Sequence, residues 1–333
     1  MVKFLSDLEN CTLCEWRCGV DRLNRELGVC RVGKPKVASA MLHPAPPESY
    51  TIFLAGCNFK CLNCQNWSIA HFPDSEKQIR GFIEPKVLGK EAYEAVNSPK
   101  GISMGADRIF FSGGSPTPSL PYIEEVVKEA RKIGEIKVNY DTNGFLTLDS
   151  LKRVIGFTNS ITFDIKAYHD IVHRALTGAP VGPVLRNAKY VAEKAQEKLW
   201  EFRVLLIPGI SEGEIKPLAE FFSEIDSSLP LNFLAFRPNF VMSDYMGASQ
   251  ELMKRAVNIA RETGLEKASF SGLTDIPGKI PEVKLDDYAE RAEFAEDIAR
   301  KMGCVTHPRN CGECPLKNSC PIKNYNPDKN ENI

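Results

Sequence analysis

The sequence predicts an α/β fold: a partial (β/α)6 barrel of the TIM type, flanked by small N- and C-terminal cysteine-rich metal modules. Three observations carry that prediction. From residue 51 onward, short β-rich runs alternate with helical stretches. Glycine-containing turns follow the runs, and the 11 cysteines fall into three tight groups rather than a scatter.

Strands are expected at 51–55, 106–111, 136–140, 160–163, 200–207 and 231–236, and helices at 86–97, 119–133, 147–155, 183–196, 212–225 and 249–262. In the second of these helices Ile123, Val126, Val127 and Ala130 recur at the spacing of one helical face. Consecutive βα units imply a parallel sheet with right-handed crossovers. Turns at Gly56, Gly113–Gly114, Asn143–Gly144 and Pro208–Gly209 close the strands. The expected domains are an N-terminal cysteine module (1–36), a Pro-rich linker (37–50) containing His43-Pro44-Ala45-Pro46-Pro47, and the barrel (51–270). A helical extension (271–302), a C-terminal iron–sulfur module (303–324) and a polar, frayed tail (325–333) complete the chain.

At 333 residues and 43% hydrophobic, the chain suffices for one such barrel plus appendages. Lys and Arg total 42 against 43 for Asp and Glu, so no surface-wide basic field points to nucleic acid. The first residues lack a long apolar stretch after Lys3, and no apolar run approaches the roughly twenty residues of a membrane helix. A cytoplasmic protein with no membrane partner is the expectation; the oligomeric state is not set by the sequence.

The cysteines group as Cys11, Cys14, Cys18 and Cys30, then Cys57, Cys61 and Cys64, then Cys304, Cys311, Cys314 and Cys320. An odd total, tight spacing and no secretion signal argue against disulfides and for metal ligation. The central group leaves the first strand as Gly56-Cys57-Asn58-Phe59-Lys60-Cys61-Leu62-Asn63-Cys64. Its C-x3-C-x2-C spacing offers three thiolates to a four-iron cubane and leaves one iron without a protein ligand. An open position is what a reactive metal centre needs. The alternative is a zinc knuckle completed by a nearby group such as His71.

This triplet resembles that of the radical S-adenosylmethionine (SAM) superfamily, and residues 52–239 are similar to the pyruvate formate-lyase activating enzymes and their uncharacterised homologues. The resemblance implies a partial barrel of the radical SAM type with a 4Fe–4S cluster at Cys57, Cys61 and Cys64. It implies that the open iron binds the amino and carboxylate groups of SAM. One electron then splits the sulfonium into methionine and a 5′-deoxyadenosyl radical that takes hydrogen from a substrate. Ser112-Gly113-Gly114 looks like the family's glycine motif, which contacts the methionine amino group through backbone. Asp141-Thr142-Asn143-Gly144 and Asp164-Ile165-Lys166 match segments in which two aspartates hold a monovalent cation beside the cofactor carboxylate; turn or cap duties are the alternative for both. Arg203, on the fifth strand, and Arg237, after the sixth, complete the cofactor set, with Asn63 and Gln65 beside Cys64. A solvated ion-pair role is the alternative for Arg237. Two positions depart from the family pattern. The usual aromatic before the third cysteine is Asn63, leaving Phe59 or Trp67 as candidates for adenine packing, and the acidic residue after the paired glycines is replaced in Gly114-Ser115-Pro116-Thr117.

The C-terminal spacing C-x6-C-x2-C-x5-C resembles the cluster loop of endonuclease III-type DNA glycosylases, and four thiolates there would close an auxiliary 4Fe–4S cluster, with zinc as the alternative. Around it Arg300, Lys301, Arg309, Lys317 and Lys323 face only Glu313, which suits an acidic electron donor, a phosphorylated substrate or RNA, and equally a solvated basic cap. The N-terminal C-x2-C-x3-C-x11-C resembles the opening segment of the uncharacterised homologues, and either 4Fe–4S or zinc fits it. The leading expectation is therefore a radical SAM oxidoreductase with auxiliary clusters. It needs a one-electron donor such as ferredoxin or flavodoxin and acts on a protein, small molecule or RNA. A glycyl-radical activase is the alternative enzyme, and a non-enzymatic iron–sulfur carrier or redox sensor the alternative of another class.

Overall fold

The structure is a computed structural model that describes residues 3–73 and 77–325. Apart from Tyr325, the expected tail lies outside the described residues. Eight strands follow one another in sheet order: β1 (Val37–His43), β2 (Ser49–Leu54), β3 (Arg108–Gly113), β4 (Lys137–Thr142), β5 (Ser160–Ile165), β6 (Leu199–Leu206), β7 (Leu231–Ala235) and β8 (Ala268–Ser271). β1 runs antiparallel to β2, whereas β2–β3, β3–β4, β6–β7 and β7–β8 pair in parallel. The α-helices are α1 (Trp67–Ala70), α2 (Pro85–Val96), α3 (Pro99–Met104), α4 (Leu120–Arg131), α5 (Leu148–Phe157) and α6 (Asp170–Thr177). They continue with α7 (Gly182–Lys194), α8 (Ile215–Ser223), α9 (Gln250–Glu262), α10 (Tyr288–Lys301) and α11 (Pro321–Asn324).

The six expected strands are β2 to β7, and the mixed α/β architecture stands. The stretch read as a stiff linker, 37–50, is different: it holds all of β1 and the start of β2. The prolines occupy only the reversal between the two strands, where no ladder donor is required, and Val37 to Leu42 pair with Leu54 to Tyr50. β8 adds a short further strand beside β7.

The described residues form two compact units, one running to Asn58 and including Ser68–Thr162, the other comprising Phe59–Trp67 and everything from Phe163. In the first unit α2 packs on α4, and the apolar face read from α4 is wholly in the core, with Ile123, Val126 and Ala130 at 0% exposure. Thr147 caps α5 by accepting from the Ser150 amide. Two buried polar contacts link its strands: Ser160 Oγ donates to Asn139 Oδ1 (2.5 Å), and Asn139 Nδ2 donates to Thr162 Oγ1 (3.1 Å).

In the second unit Phe202 stacks on Phe222 with ring centres 4.2 Å apart and meets Phe163 edge-on. Ser249 caps α9 at the Leu252 amide, and Asp287 caps α10. The fully buried Glu214 accepts from the amides of Tyr168 and His169 and from Arg291 Nη2, which ties α10 to the turn after β5. α10 itself packs on α6. No helix among the described residues is long and apolar enough to cross a membrane.

Candidate active site

Cys57 lies in the first unit, in the turn that follows β2, and is buried, 6% exposed. Around that turn the first unit collects Gly113–Gly114 and the Asp141-Thr142-Asn143 segment. Gly113 has φ +120°, and a Cβ on Gly114 would fall 2.2 Å from the Gly56 carbonyl oxygen, so only glycine lets the β3 turn reach the β2 turn. The Gly114 amide donates to Leu54 O (2.8 Å) and the Ser115 amide to Gly56 O (2.9 Å). The acidic group of Asp141 accepts from Ser112 Oγ at 2.6 Å. Thr142 is buried and its Oγ1 accepts from the Gly144 amide. Asn143 donates through Nδ2 to Asn58 Oδ1 (2.8 Å), so it holds the residue that follows Cys57.

The N-terminal cysteine module is fastened to the same turns. Trp16 Nε1 donates to Asn58 O (2.7 Å) and its ring meets Phe145 at 5.0 Å. The Glu15 amide donates to Phe145 O, and the Thr147 amide donates to Leu13 O. Arg22, 2% exposed, donates through Nη1 to Pro118 O, just beyond the glycine turn, and through Nε and Nη2 to Val32 O and Gly33 O.

Cys61 and Cys64 are half-buried in the second unit. The Lys60 and Leu62 amides donate to Thr177 O and Leu176 O at the end of α6. Asn63 is buried and Gln65 exposed. Phe59 packs edge-on against His173, and Trp67 stacks on Phe240 with centres 5.7 Å apart, so both aromatics proposed for adenine are engaged with protein rings. Asp164, Lys166 and Arg203 form one cluster: Arg203 Nε donates to Asp164 Oδ1 at 3.0 Å, and Lys166 Nζ lies 3.4 Å from Oδ2. Burial alone would raise the Asp164 carboxyl, but Arg203 and Lys166 outweigh it and hold it below the usual carboxylate range. Arg237 is exposed beyond β7.

Residues 51–222, more than half of the chain, match the Radical SAM superfamily. The chain belongs to that superfamily. It is 26% identical over 267 residues to an uncharacterised protein of Methanocaldococcus jannaschii, covering 78% of this chain and 76% of the relative. It is 28% identical over 193 residues to a pyruvate formate-lyase-activating enzyme of Staphylococcus epidermidis, covering 55% of this chain and 72% of that enzyme. A solved domain of pyruvate-formate lyase-activating enzyme from Bacteroides vulgatus aligns with TM-score 0.40 and 22% identity over 50% of this chain and all of that domain.

Superfamily membership implies a 4Fe–4S cluster and SAM, and this radical SAM chain carries a local feature that suits the cluster. Asn58 is wholly buried beside Cys57; its Oδ1 is taken by Asn143, and its Nδ2 has no hydrogen-bond partner among the described residues. A buried donor without an acceptor costs stability unless a ligand accepts from it, and a cluster sulfur at Cys57 is such an acceptor. The cation expectation meets a different setting, because both oxygens of Asp164 already face protein cations.

The C-terminal module of this radical SAM chain is braced by one of the five basic residues that surround it in the sequence. Arg309, 1% exposed, donates through Nη1 to Leu176 O (3.1 Å) and through Nη2 to Lys60 O, the carbonyl that precedes Cys61. The Cys311 amide donates to Gly178 O. Beside these contacts His173 is fully buried, and burial depresses its imidazole to about 4, with Nδ1 donating to Ala179 O at 2.7 Å. The unfolded chain takes up this proton near the ordinary histidine value and the folded chain does so only near 4. Stability is therefore expected to fall by about 2 kcal/mol as pH drops from 7 to 5. Denaturant unfolding at the two pH values, compared with His173→Gln, checks this: the variant should lose that part of the slope.

Proposed function

We propose that this chain is a radical SAM oxidoreductase that cleaves S-adenosylmethionine reductively and abstracts hydrogen from a substrate, with auxiliary clusters assisting. The observation that carries the reading is the superfamily match over residues 51–222, within which the three-cysteine motif directly follows β2. Cys57, Cys61 and Cys64 would hold a four-iron cluster by one thiolate each, a ligand set that leaves one iron for the cofactor. When bound, the reduced cluster and SAM supply the superfamily's hydrogen-abstracting chemistry. Asn58 would offer its Nδ2 to a cluster bound at Cys57, and Asn143 keeps that amide oriented. Arg203 and Lys166, balanced by Asp164, present positive charge suited to the cofactor carboxylate. A monovalent cation, if used, sits at Asp141, because Lys166 and Arg203 already do that work at Asp164. Arg237 and Gln65, both exposed, are positioned to meet ligand from solvent.

The required partner is a one-electron donor such as ferredoxin or flavodoxin. A glycyl-radical activase is the second reading, supported by the relatives named pyruvate formate-lyase-activating enzyme. Against it, the additional cysteines sit at the two chain ends rather than just after the radical motif. Reconstituted, reduced protein should convert SAM to 5′-deoxyadenosine and methionine, slowly without substrate, measured by chromatography with and without potassium. No 5′-deoxyadenosine above the cluster-free control sinks the reading. Potassium dependence that survives Asp141→Ala sinks the cation role. Deuterated substrate pools, with deuterium traced into 5′-deoxyadenosine, then identify the substrate class.

A further inference from the structure

We propose that Cys11, Cys14, Cys18 and Cys30 hold a closed four-iron cluster, charge-balanced by Arg22, that exchanges electrons with the cluster at Cys57; only this last partner rests on the proposed function. The four thiols are unlinked and line one cavity together with Trp16 and Arg22. Four thiolates around a common void can each serve a different iron of a cubane. Gly28 makes the room: a Cβ there would lie 2.8 Å from Cys18 Sγ.

Arg22 supplies what such a cluster lacks. Four thiolates on a four-iron core leave net negative charge, which is costly to bury without a compensating cation. Arg22 is 2% exposed, lines the cavity, and places Nη1 3.5 Å from Cys11 Sγ while its other donors are fixed on the Val32 and Gly33 carbonyls. Its hydrogen-bond partners are three backbone carbonyls and the Cys11 sulfur rather than a carboxylate. A guanidinium held by backbone carbonyls on one side and sulfur on the other has its charge directed at the cavity.

The position next to Cys57 gives the cluster its use. The Cys30 carbonyl oxygen lies 3.1 Å from where a Cβ on Gly56 would stand, and Gly56 precedes Cys57 in the chain. Trp16, which lines the cavity, also bonds to Asn58 O on the far side of Cys57. One electron enters from the external one-electron donor, resides on the N-terminal cluster, and passes to the cluster at Cys57; no bond forms or breaks and no proton is needed.

The test uses the full chain with Cys57, Cys61, Cys64, Cys304, Cys311, Cys314 and Cys320 replaced by Ala, reconstituted anaerobically with iron and sulfide. About four irons and four sulfides per chain are expected, with a paramagnetic signal on reduction. One zinc, or no metal in a folded chain, overturns the site. Should that variant not fold, Cys11→Ser with Cys18→Ser in the otherwise intact chain decides: about four irons lost supports the site, whereas one zinc lost, or nothing, overturns it. Arg22→Gln should shift this cluster's reduction potential downward, because reduction adds negative charge that the guanidinium no longer offsets. Arg22→Lys should keep it nearer the parent value, and equal potentials in all three chains overturn the charge-balancing role. With only the four C-terminal cysteines replaced, the two reduced clusters should broaden each other's signals. A plain sum of independent spectra overturns the electron exchange. Because iron content is read without SAM, absence of cofactor cleavage would defeat the proposed function and leave the metal site standing.

Discussion

Replacing Cys57, Cys61 and Cys64 together with Ala is expected to abolish 5′-deoxyadenosine formation, reducing it to the level of the cluster-free protein, while lowering iron by about four per chain. The expectation is all-or-none because each thiolate serves its own iron, and a cubane short of a second ligand does not survive to bind cofactor. Iron at the end modules should remain, since the N-terminal cysteines are anchored through Arg22 and Trp16 rather than through the triplet thiols. Iron and sulfide analysis beside the cleavage assay separates the outcomes. Retained cleavage would move the radical site elsewhere, and loss of iron from every site would mean that the triplet organises the whole chain.

The second large effect is expected at Arg309. Arg309→Met leaves the Lys60 carbonyl buried without its donor, leaves the Leu176 carbonyl with the Leu62 amide alone, and takes a buried charge away from the C-terminal thiols. Burial opposes the guanidinium's charge, but the neighbouring Cys311 and Cys304 sulfurs and Glu296 raise its pKa above the ordinary arginine value, so the cation is firmly held in place. The orphaned Lys60 carbonyl costs about 1–3 kcal/mol, so a destabilisation of that size should appear in denaturant unfolding. Arg309→Lys should recover little, because a single ammonium cannot span the carbonyls that the planar fork reaches. Unfolding midpoints within error of the parent would make Arg309 a bystander.

Most of the strand order was legible because the strands from β2 onward are apolar runs of the right length, separated by turn residues. β1 was hidden by its neighbours: four residues dominated by proline masked the Val37 to Leu42 run that pairs with β2. α6 was missed because its eight residues fall between two stronger patterns, and it stops at Gly178, whose positive φ caps it. At the site, spacing located the triplet, and glycine and aspartate turns located the close-packed loops around it. Sequence could not tell that Asn143 spends its amide on Asn58, nor that Asp164 is already neutralised by Arg203 and Lys166, because those pairings span 85 and 39 residues. Arg22 and Arg309 carry no periodic signal at all. Each works by reaching backbone carbonyls remote in the chain, which no local pattern encodes.

The fastening of the N-terminal module to the turns after β2, β3 and β4 also sets an order of assembly. Its cysteines are made first, yet Trp16 waits for Asn58, Arg22 for Pro118, and Leu13 for Thr147, a separation of 134 residues. Such long-range closures cost chain entropy before any contact repays it, and they slow folding. These thiols therefore stand in solvent until Thr147 has emerged, and iron delivered before then would meet a flexible peptide rather than a walled cavity. Maturation of this end of the molecule is thus tied to completion of the first four strands, so a lesion in the β4 turn should appear as an iron defect more than a hundred residues upstream.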